Sequence, residues 1–461
     1  MKQIRFVPVA LLLVVAAWPV AAALALAEKD VPPNTAASGG LAAEAAEATT
    51  VVDGFAEPLG PLEKQLFCDA SDGRLDAFSL LGAALIASGV QSAETLQRYE
   101  SRQAAWIDEL CRMNEPAGSP RQQAQVVLEF MHERILQGGY SLDSTDLRAV
   151  LDEGRYNCVS ASVLFQSLAG EVGLGVCGLE IPGHAMSRVA LPDAAIDVET
   201  TCPRWFRLSG DPRHLAEMVQ ETIGRDPAED RSQAREISPV QMTAMIYYNR
   251  GVDFLAKGQF HQAAAANAKA LWLDPASATA RGNLLATVNN WAIALGTSQH
   301  YAEAIVLLRR GLAIDPLYAP FEVNYVHVHH QWVEHLCSAE RFEEALDLLH
   351  RTADERPQCA YFRQAALELY GRWARALFER GEPDQAFALF AEAGRRHGEC
   401  RALIDAEVAA VTQYGLTLLE HGRVEEAVAL FDRGLARRPD AKLLRDYRRE
   451  ATTHGSAKSF D

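Results

Sequence analysis

A thiol, an imidazole and two carboxylates follow one another in the middle of this sequence. Cys158 stands in Tyr156-Asn157-Cys158-Val159-Ser160-Ala161-Ser162-Val163-Leu164. His184 stands in Ile181-Pro182-Gly183-His184-Ala185, and Asp197 and Glu199 in Ile196-Asp197-Val198-Glu199-Thr200. A nucleophilic thiol needs a base within hydrogen-bond reach and a third group to orient that base. The order supplies candidates for each role: Cys158 attacks, His184 takes the proton, and Asp197 or Glu199 holds the imidazole.

Elements must bring these groups together. Ala161, Leu164, Phe165 and Leu168 form one apolar face of a helix over about 158–172, which Cys158 opens. Amides at a helix N-terminus lower a thiol pKa and can hold an oxyanion. Strand-like runs follow at 176–181, 185–191 and 195–198, with Pro192-Asp193 as the turn between the last two. His184 therefore begins a strand after a Pro-Gly turn. With the hairpin turning at Pro192-Asp193, His184 lies across from Thr201 and Glu199 is its diagonal neighbour. Asp197 is then about 13 Å along the strand.

This segment resembles the transglutaminase-like superfamily, in which a helix-opening Cys, a Gly-His strand and an Asp strand form a triad. The likeness covers roughly Leu75 to Thr201 and extends to bacterial transglutaminase-like proteins with tetratricopeptide repeats after the N-terminal domain. It implies an α+β papain-like domain and acyl transfer on an amide, by peptide hydrolysis, amide cleavage or crosslinking. Cys158 would be the nucleophile and His184 the base. The family's Ile-Asp step puts Asp197 first as the third member, whereas its carboxylate-x-Thr step fits Glu199, so both stay open. The sequence departs from the family at Tyr156, where Gly is common, and at Met186, where an aromatic is common.

Downstream the chain repeats with a 41-residue step. Ala263, Ala304, Ala345, Ala386 and Ala427 keep it, as do Trp291, Trp332 and Trp373, with Tyr414 next. Pro275, Pro316 and Pro357 keep it too; Gly398 interrupts the series and Pro439 resumes it. A fixed period of this size means stacked units, none of which buries its apolar face alone. Gly251, Phe254, Gly258, Phe260, Ala263, Ala270 and Pro275 fall at the offsets of the tetratricopeptide repeat (TPR), as do Gly415, Leu418, Ala427, Phe431 and Pro439. The units resemble that family, which implies an all-α superhelical TPR array with a protein or peptide bound in its groove. The family's own step is about 34 residues. The excess lies before each following Trp, which predicts first helices longer by about two turns, or roughly 10 Å, in the later units.

The expected organisation is a signal peptide or N-terminal membrane anchor over 1–27, a flexible linker over 28–60, a transglutaminase-like domain over 61–235, five repeats over 240–450 and a tail over 451–461. Lys2 and Arg5 precede an apolar run from Phe6 to Ala27, and Ala25-Leu26-Ala27 has the small-x-small form of a cleavage site. An exported protein, periplasmic or extracellular, follows from this segment. The run is also long enough to span a bilayer uncleaved.

Acids outnumber bases 61 to 44, a net charge of −17, which argues against nucleic acid as a partner because phosphate binding needs a basic surface. None of the eight cysteines has zinc spacing, and in the group His327, His329, His330 and His335 only the 327/330 pair shares a helical face. Neither a cofactor nor a metal is expected. Two functions compete: a cysteine acyl-transfer enzyme whose array docks a substrate, and a non-catalytic scaffold with a degenerate domain.

Overall fold

In the computed structural model the described residues are 54–457, apart from 56, 114–117, 193 and most of 209–233. The expected export segment, most of the linker and Asp193 of the hairpin turn lie outside them.

The chain begins with helices α1 (Pro61–Asp69), α2 (Leu80–Ala87), α3 (Ala93–Met113) and α4 (Pro120–Arg134). The Ser79 hydroxyl caps α2 by accepting from the Gly82 amide at 3.0 Å. A helix apolar on all sides must be enclosed, and α2 (Leu-Leu-Gly-Ala-Ala-Leu-Ile-Ala) is buried from Leu81 to Ala87. Then come β1 (Gly139–Tyr140), α5 (Leu147–Glu153), β2 (Arg155–Tyr156), α6 (Cys158–Glu171), β3 (Val176–Ile181), β4 (His184–Ala190), β5 (Ala195–Val198), α7 (Trp205–Leu208) and β6 (Arg235–Ile237). Helix α6 is the second central helix, buried from Val159 to Ala169.

Strands β5-β4-β3-β6 form one antiparallel sheet in that order. Ile181 pairs with His184, so the β3–β4 hairpin turns on Pro182 and Gly183 alone. Gly183 has φ of 73°, which fits glycine after proline in a tight turn. Strand β4 pairs with β5 through Ser187↔Val198 and Arg188↔Asp197. Continued three steps, that register sets His184 across from Thr201. Strands β1 and β2 make a separate parallel pair, with Tyr140 opposite Tyr156.

From Pro239 the chain is helical. Five pairs follow: α8 (Pro239–Ala256) with α9 (Phe260–Leu273), α10 (Ala278–Thr297) with α11 (Tyr301–Ile314), α12 (Ala319–Ser338) with α13 (Phe342–Glu355), α14 (Ala360–Glu379) with α15 (Pro383–His397), and α16 (Arg401–Glu420) with α17 (Val424–Arg437). A last helix, α18, runs Lys442–Ala457. It replaces the tail expected from 451, because its apolar residues Leu444 and Ala451 are buried. The first helices of the later four pairs have 20 residues each. Second helices have 14 or 15. All five alanines of the 41-residue series are fully buried at 0% exposure, which explains why nothing larger stands there. The aromatic series is half-buried and is used for stacking between successive pairs. Tyr301 stacks on Trp332, Phe342 on Trp373 and Phe378 on Tyr414 with ring centroids 6.0, 6.2 and 5.5 Å apart.

The chain divides into two compact units, but not near residue 235. Among the described residues, the first takes in everything to Ala294 together with Val306–Phe321; the second takes in Leu295–Ile305 and everything from Glu322. Within the first unit, buried polar links tie α8 and α9 to what precedes them. Lys269 meets Glu63 at 2.8 Å, and the Tyr247 hydroxyl donates to the same carboxylate at 3.0 Å. Arg235 bridges Glu180 and Asp274 at 2.5 and 2.6 Å. The end of the expected linker is also part of this unit. Phe55 is 3% exposed beneath the Arg310 guanidinium, and Glu57 pairs with His261.

Candidate active site

Cys158 is the first residue of α6, and its position is set by a cap. The Asn157 side-chain oxygen accepts from the Ser160 amide at 3.0 Å, and the Ser160 hydroxyl accepts from the Asn157 amide at 3.0 Å. The Asn157 side-chain nitrogen donates to the Thr145 hydroxyl at 2.6 Å and the Leu142 carbonyl at 3.2 Å. The Ser160 hydroxyl also donates to the Ser144 carbonyl at 2.8 Å. These bonds latch the loop after β1 onto the helix start. Cys158 itself is half-buried.

His184 opens β4, and Cys158 is among the groups that act electrostatically on its imidazole. Its Nε2 is 2.7 Å from Glu199 Oε2. The side chains of His184 and Glu199 are 8% and 1% exposed. Glu199 follows the last residue of β5, and its other oxygen accepts from the Thr201 amide at 3.1 Å and the Thr201 hydroxyl at 2.7 Å. His184 and Thr201 both bond this carboxylate in its ionised form. Burial opposes ionisation of Glu199, but His184 and Thr201 outweigh it and hold the carboxyl below its ordinary range. Burial likewise pulls the His184 imidazole down, and the charges of Glu199 and Cys158 outweigh it, raising the imidazole to about 10.

Of the two carboxylates the sequence leaves open, Glu199 is the one at His184. Asp197 sits directly opposite Arg188 in the β4–β5 ladder and forms an ion pair with it at 2.6 Å. Arg188 also binds Glu236 at 2.6 Å. The placement of Asp197 is a register effect, since opposite residues of an antiparallel pair put their side chains together. Motif order had put Asp197 first; strand spacing had pointed to Glu199.

Further bonds fix α6 against the sheet. Ser162 and Thr200 hydroxyls are 2.9 Å apart, and Gln166 donates to the Ser187 hydroxyl at 3.2 Å. The helix carrying Cys158 is thus pinned to the strand carrying His184 and to the turn carrying Glu199.

Sequence reasoning missed three groups around the site, His132, Tyr140 and Tyr248, and named Tyr156 only as a departure from the family. His132 of α4 is buried, and its Nε2 is 2.9 Å from the Thr200 carbonyl. A carbonyl only accepts, so this nitrogen carries the hydrogen; burial lowers the ring's pKa and favours that neutral form. Tyr140 and Tyr156 meet edge to face with centroids 5.9 Å apart. Burial, then Cys158 and Glu199, drive the Tyr140 hydroxyl well above its usual range, and burial pushes Tyr156 up to about 12. Tyr248 of α8 donates to Glu180 at 3.4 Å. Burial first, then Glu180 and Cys158, raise its pKa. Tyr156 stands in the Cys158 motif itself, whereas His132, Tyr140 and Tyr248 come from elements distant in sequence, α4, β1 and α8.

All eight cysteines are free thiols. Burial raises the pKa of Cys177 and Cys202, which suits structural thiols. Three of the four histidines 327–335 have separate partners. His329 bonds the Tyr325 carbonyl at 2.8 Å, His330 the Tyr361 hydroxyl at 3.0 Å, and the His335 ring lies tilted against Tyr301 with centroids 5.7 Å apart. Among the described residues no three His, Cys, Asp or Glu side chains group as metal ligands.

No family model matches the chain, and no curated protein does. Among solved structures it is similar to YrrB, described as a TPR protein with an unusual peptide-binding site. The identity is 19%, over 45% of this chain and 92% of that one, with a TM-score of 0.16. It is also similar to the TPR domain of P58(IPK), with 13% identity over 96% of this chain and 99% of that one and a TM-score of 0.18. The repeats are defined by this chain's own 41-residue register and its five helix pairs.

Proposed function

We propose that this chain is a transglutaminase-like cysteine acyl-transfer protein acting on an amide, with its helical repeats docking a protein or peptide. The observation that carries this reading is the 2.7 Å contact between His184 and a fully buried Glu199, with Cys158 opening a helix and acting on the same imidazole. A buried carboxylate needs a compensating cation, and a protonated His184 is that cation.

In this reading His184 holds the proton in the resting site. Glu199 takes Nε2, leaving Nδ1 for the thiol. The Cys158 sulfur attacks the carbonyl carbon, and the C=O electron pair moves onto oxygen. Collapse breaks the C–N bond, and His184 gives its proton to the leaving amine. Water or a second amine then takes the acyl group from sulfur. The apolar N-terminal run adds export to the proposal.

The test is acylation by p-nitrophenyl acetate, followed by nitrophenolate release and by peptide mass spectrometry. One equivalent of acetyl on Cys158, abolished in Cys158→Ser, is the expected result. Equal acetylation of all accessible thiols would leave the helical repeats as a binding scaffold beside an inert domain.

A further inference from the structure

We propose that Tyr140 is a catalytic residue of this site, donating its hydroxyl hydrogen bond to the oxyanion formed when Cys158 attacks a carbonyl. The inference rests on the acyl-transfer reading and adds the group that carries the developing charge.

Attack on a carbonyl puts a full negative charge on oxygen, and fixed donors aimed at that position are usually the largest source of rate in such sites. Helix α6 supplies one of them. The cap uses Asn157 to satisfy the Ser160 amide, and the first amides of a helix have no partner within it. The Cys158 amide, on the same residue as the nucleophile, is therefore available. A second donor must come from outside the helix and face the thiol.

The β1 loop provides it. Tyr140 pairs in register with Tyr156, two residues before Cys158, and the Ser141 amide donates to the Tyr156 carbonyl at 2.8 Å. Beyond Tyr140 the loop is fastened to the helix start at Leu142, Ser144 and Thr145. The ring edge of Tyr140 is held against Tyr156. Strand pairing and the ring contact set its side chain beside Tyr156, two residues before the nucleophile. Burial, then the charges of Cys158 and Glu199, hold its hydroxyl above the usual range, so it is protonated, as a donor must be. Tyr140 remains partly exposed, whereas Tyr156 is 6% exposed, so the first hydroxyl and not the second can reach a bound carbonyl. During attack the hydrogen stays on Tyr140, and only the C–S bond forms as the carbonyl electron pair moves to oxygen. With p-nitrophenyl acetate, collapse returns that pair and expels nitrophenolate.

The test separates a reaction that makes an oxyanion from one that does not. Iodoacetamide alkylates sulfur by displacing iodide, with no charge on a carbonyl oxygen; p-nitrophenyl acetate acylates through an oxyanion. Both rates at Cys158 are measured in the full chain for wild type, Tyr140→Phe and Tyr156→Phe. Tyr140→Phe is expected to slow acylation on the order of 100-fold, leaving alkylation within about twofold, while Tyr156→Phe changes acylation far less. Equal slowing of both reactions in Tyr140→Phe would assign the residue to packing and overturn the proposal. Unchanged acylation, or equal loss in Tyr156→Phe, would overturn it as well. A wild-type Cys158 that acylates and alkylates no faster than Cys68 would instead sink the acyl-transfer reading, and Tyr140 with it.

Discussion

Glu199 and His184 titrate as a pair, and the signs of their shifts define a pH window. The His184 pKa is raised above its ordinary 6.5, so its contribution to stability is full below about 6.5 and is lost as pH rises through about 10. The Glu199 pKa is lowered, so its contribution is present above the ordinary 4.5 and is lost as pH falls through the lowered value. Glu199→Gln should therefore reduce the melting temperature most near pH 5.5 and progressively less toward pH 10, read by thermal denaturation across that range. Breaking a buried pair costs about 3–5 kcal/mol, while the partly exposed Asp197–Arg188 pair, 19% and 29% exposed, is worth about 1 kcal/mol. Asp197→Asn should leave both melting and Cys158 labelling nearly unchanged. At this scale the sequence revealed the thiol, the imidazole and two carboxylates, and the hairpin count pointed to Glu199. It could not reveal Tyr140, His132 or Tyr248. Each has an ordinary local context and acquires a role only through α4, β1 and α8 packing around Cys158.

The elements place these residues by close packing that tolerates little change. Gly415 of α16 is the clearest case. A Cβ there would come within 2.3 Å of the Phe431 ring, which is fully buried and has nowhere to move. Gly415→Ala should destabilise the chain by about 1–3 kcal/mol, measurable as a lowered urea midpoint. The same pattern explains why the repeats were legible. A 41-residue step shows directly in the alanine and tryptophan series, and the excess over a common repeat length falls in helices of 20 residues. Less legible was the use of the tryptophans. Periodicity marks them as apolar and recurrent, but not as half-buried partners of Tyr301 and Phe342. The central helices α2 and α6 were readable in type. Their burial on all sides reflects how many other elements cover them.

For the whole molecule, the division into two units runs through the repeats and not before them. Composition and period change near residue 239, which is why the sequence suggests a boundary there. Ion pairs cross that position: Lys269 meets Glu63, and Arg235 bridges Glu180 and Asp274. A chain ending at Ser238 loses Lys269 and Tyr247 from Glu63 and exposes the face that α8 covers. It should be cut rapidly in limited proteolysis and melt without a cooperative transition, whereas a chain ending at Phe321 should keep both resistance and cooperativity in its first unit. The central claim is that Cys158, His184 and Glu199 form a reactive site, and one measurement tests it most directly. Iodoacetamide labelling at pH 7 is followed at all eight cysteines by peptide mass spectrometry, in wild type and in His184→Ala. Cys158 is expected to label at least about tenfold faster than the exposed Cys68 and Cys111, consistent with thiol activation by an adjacent imidazolium. That advantage should vanish in His184→Ala. A wild-type Cys158 that labels no faster than Cys68 or Cys111 would contradict the account.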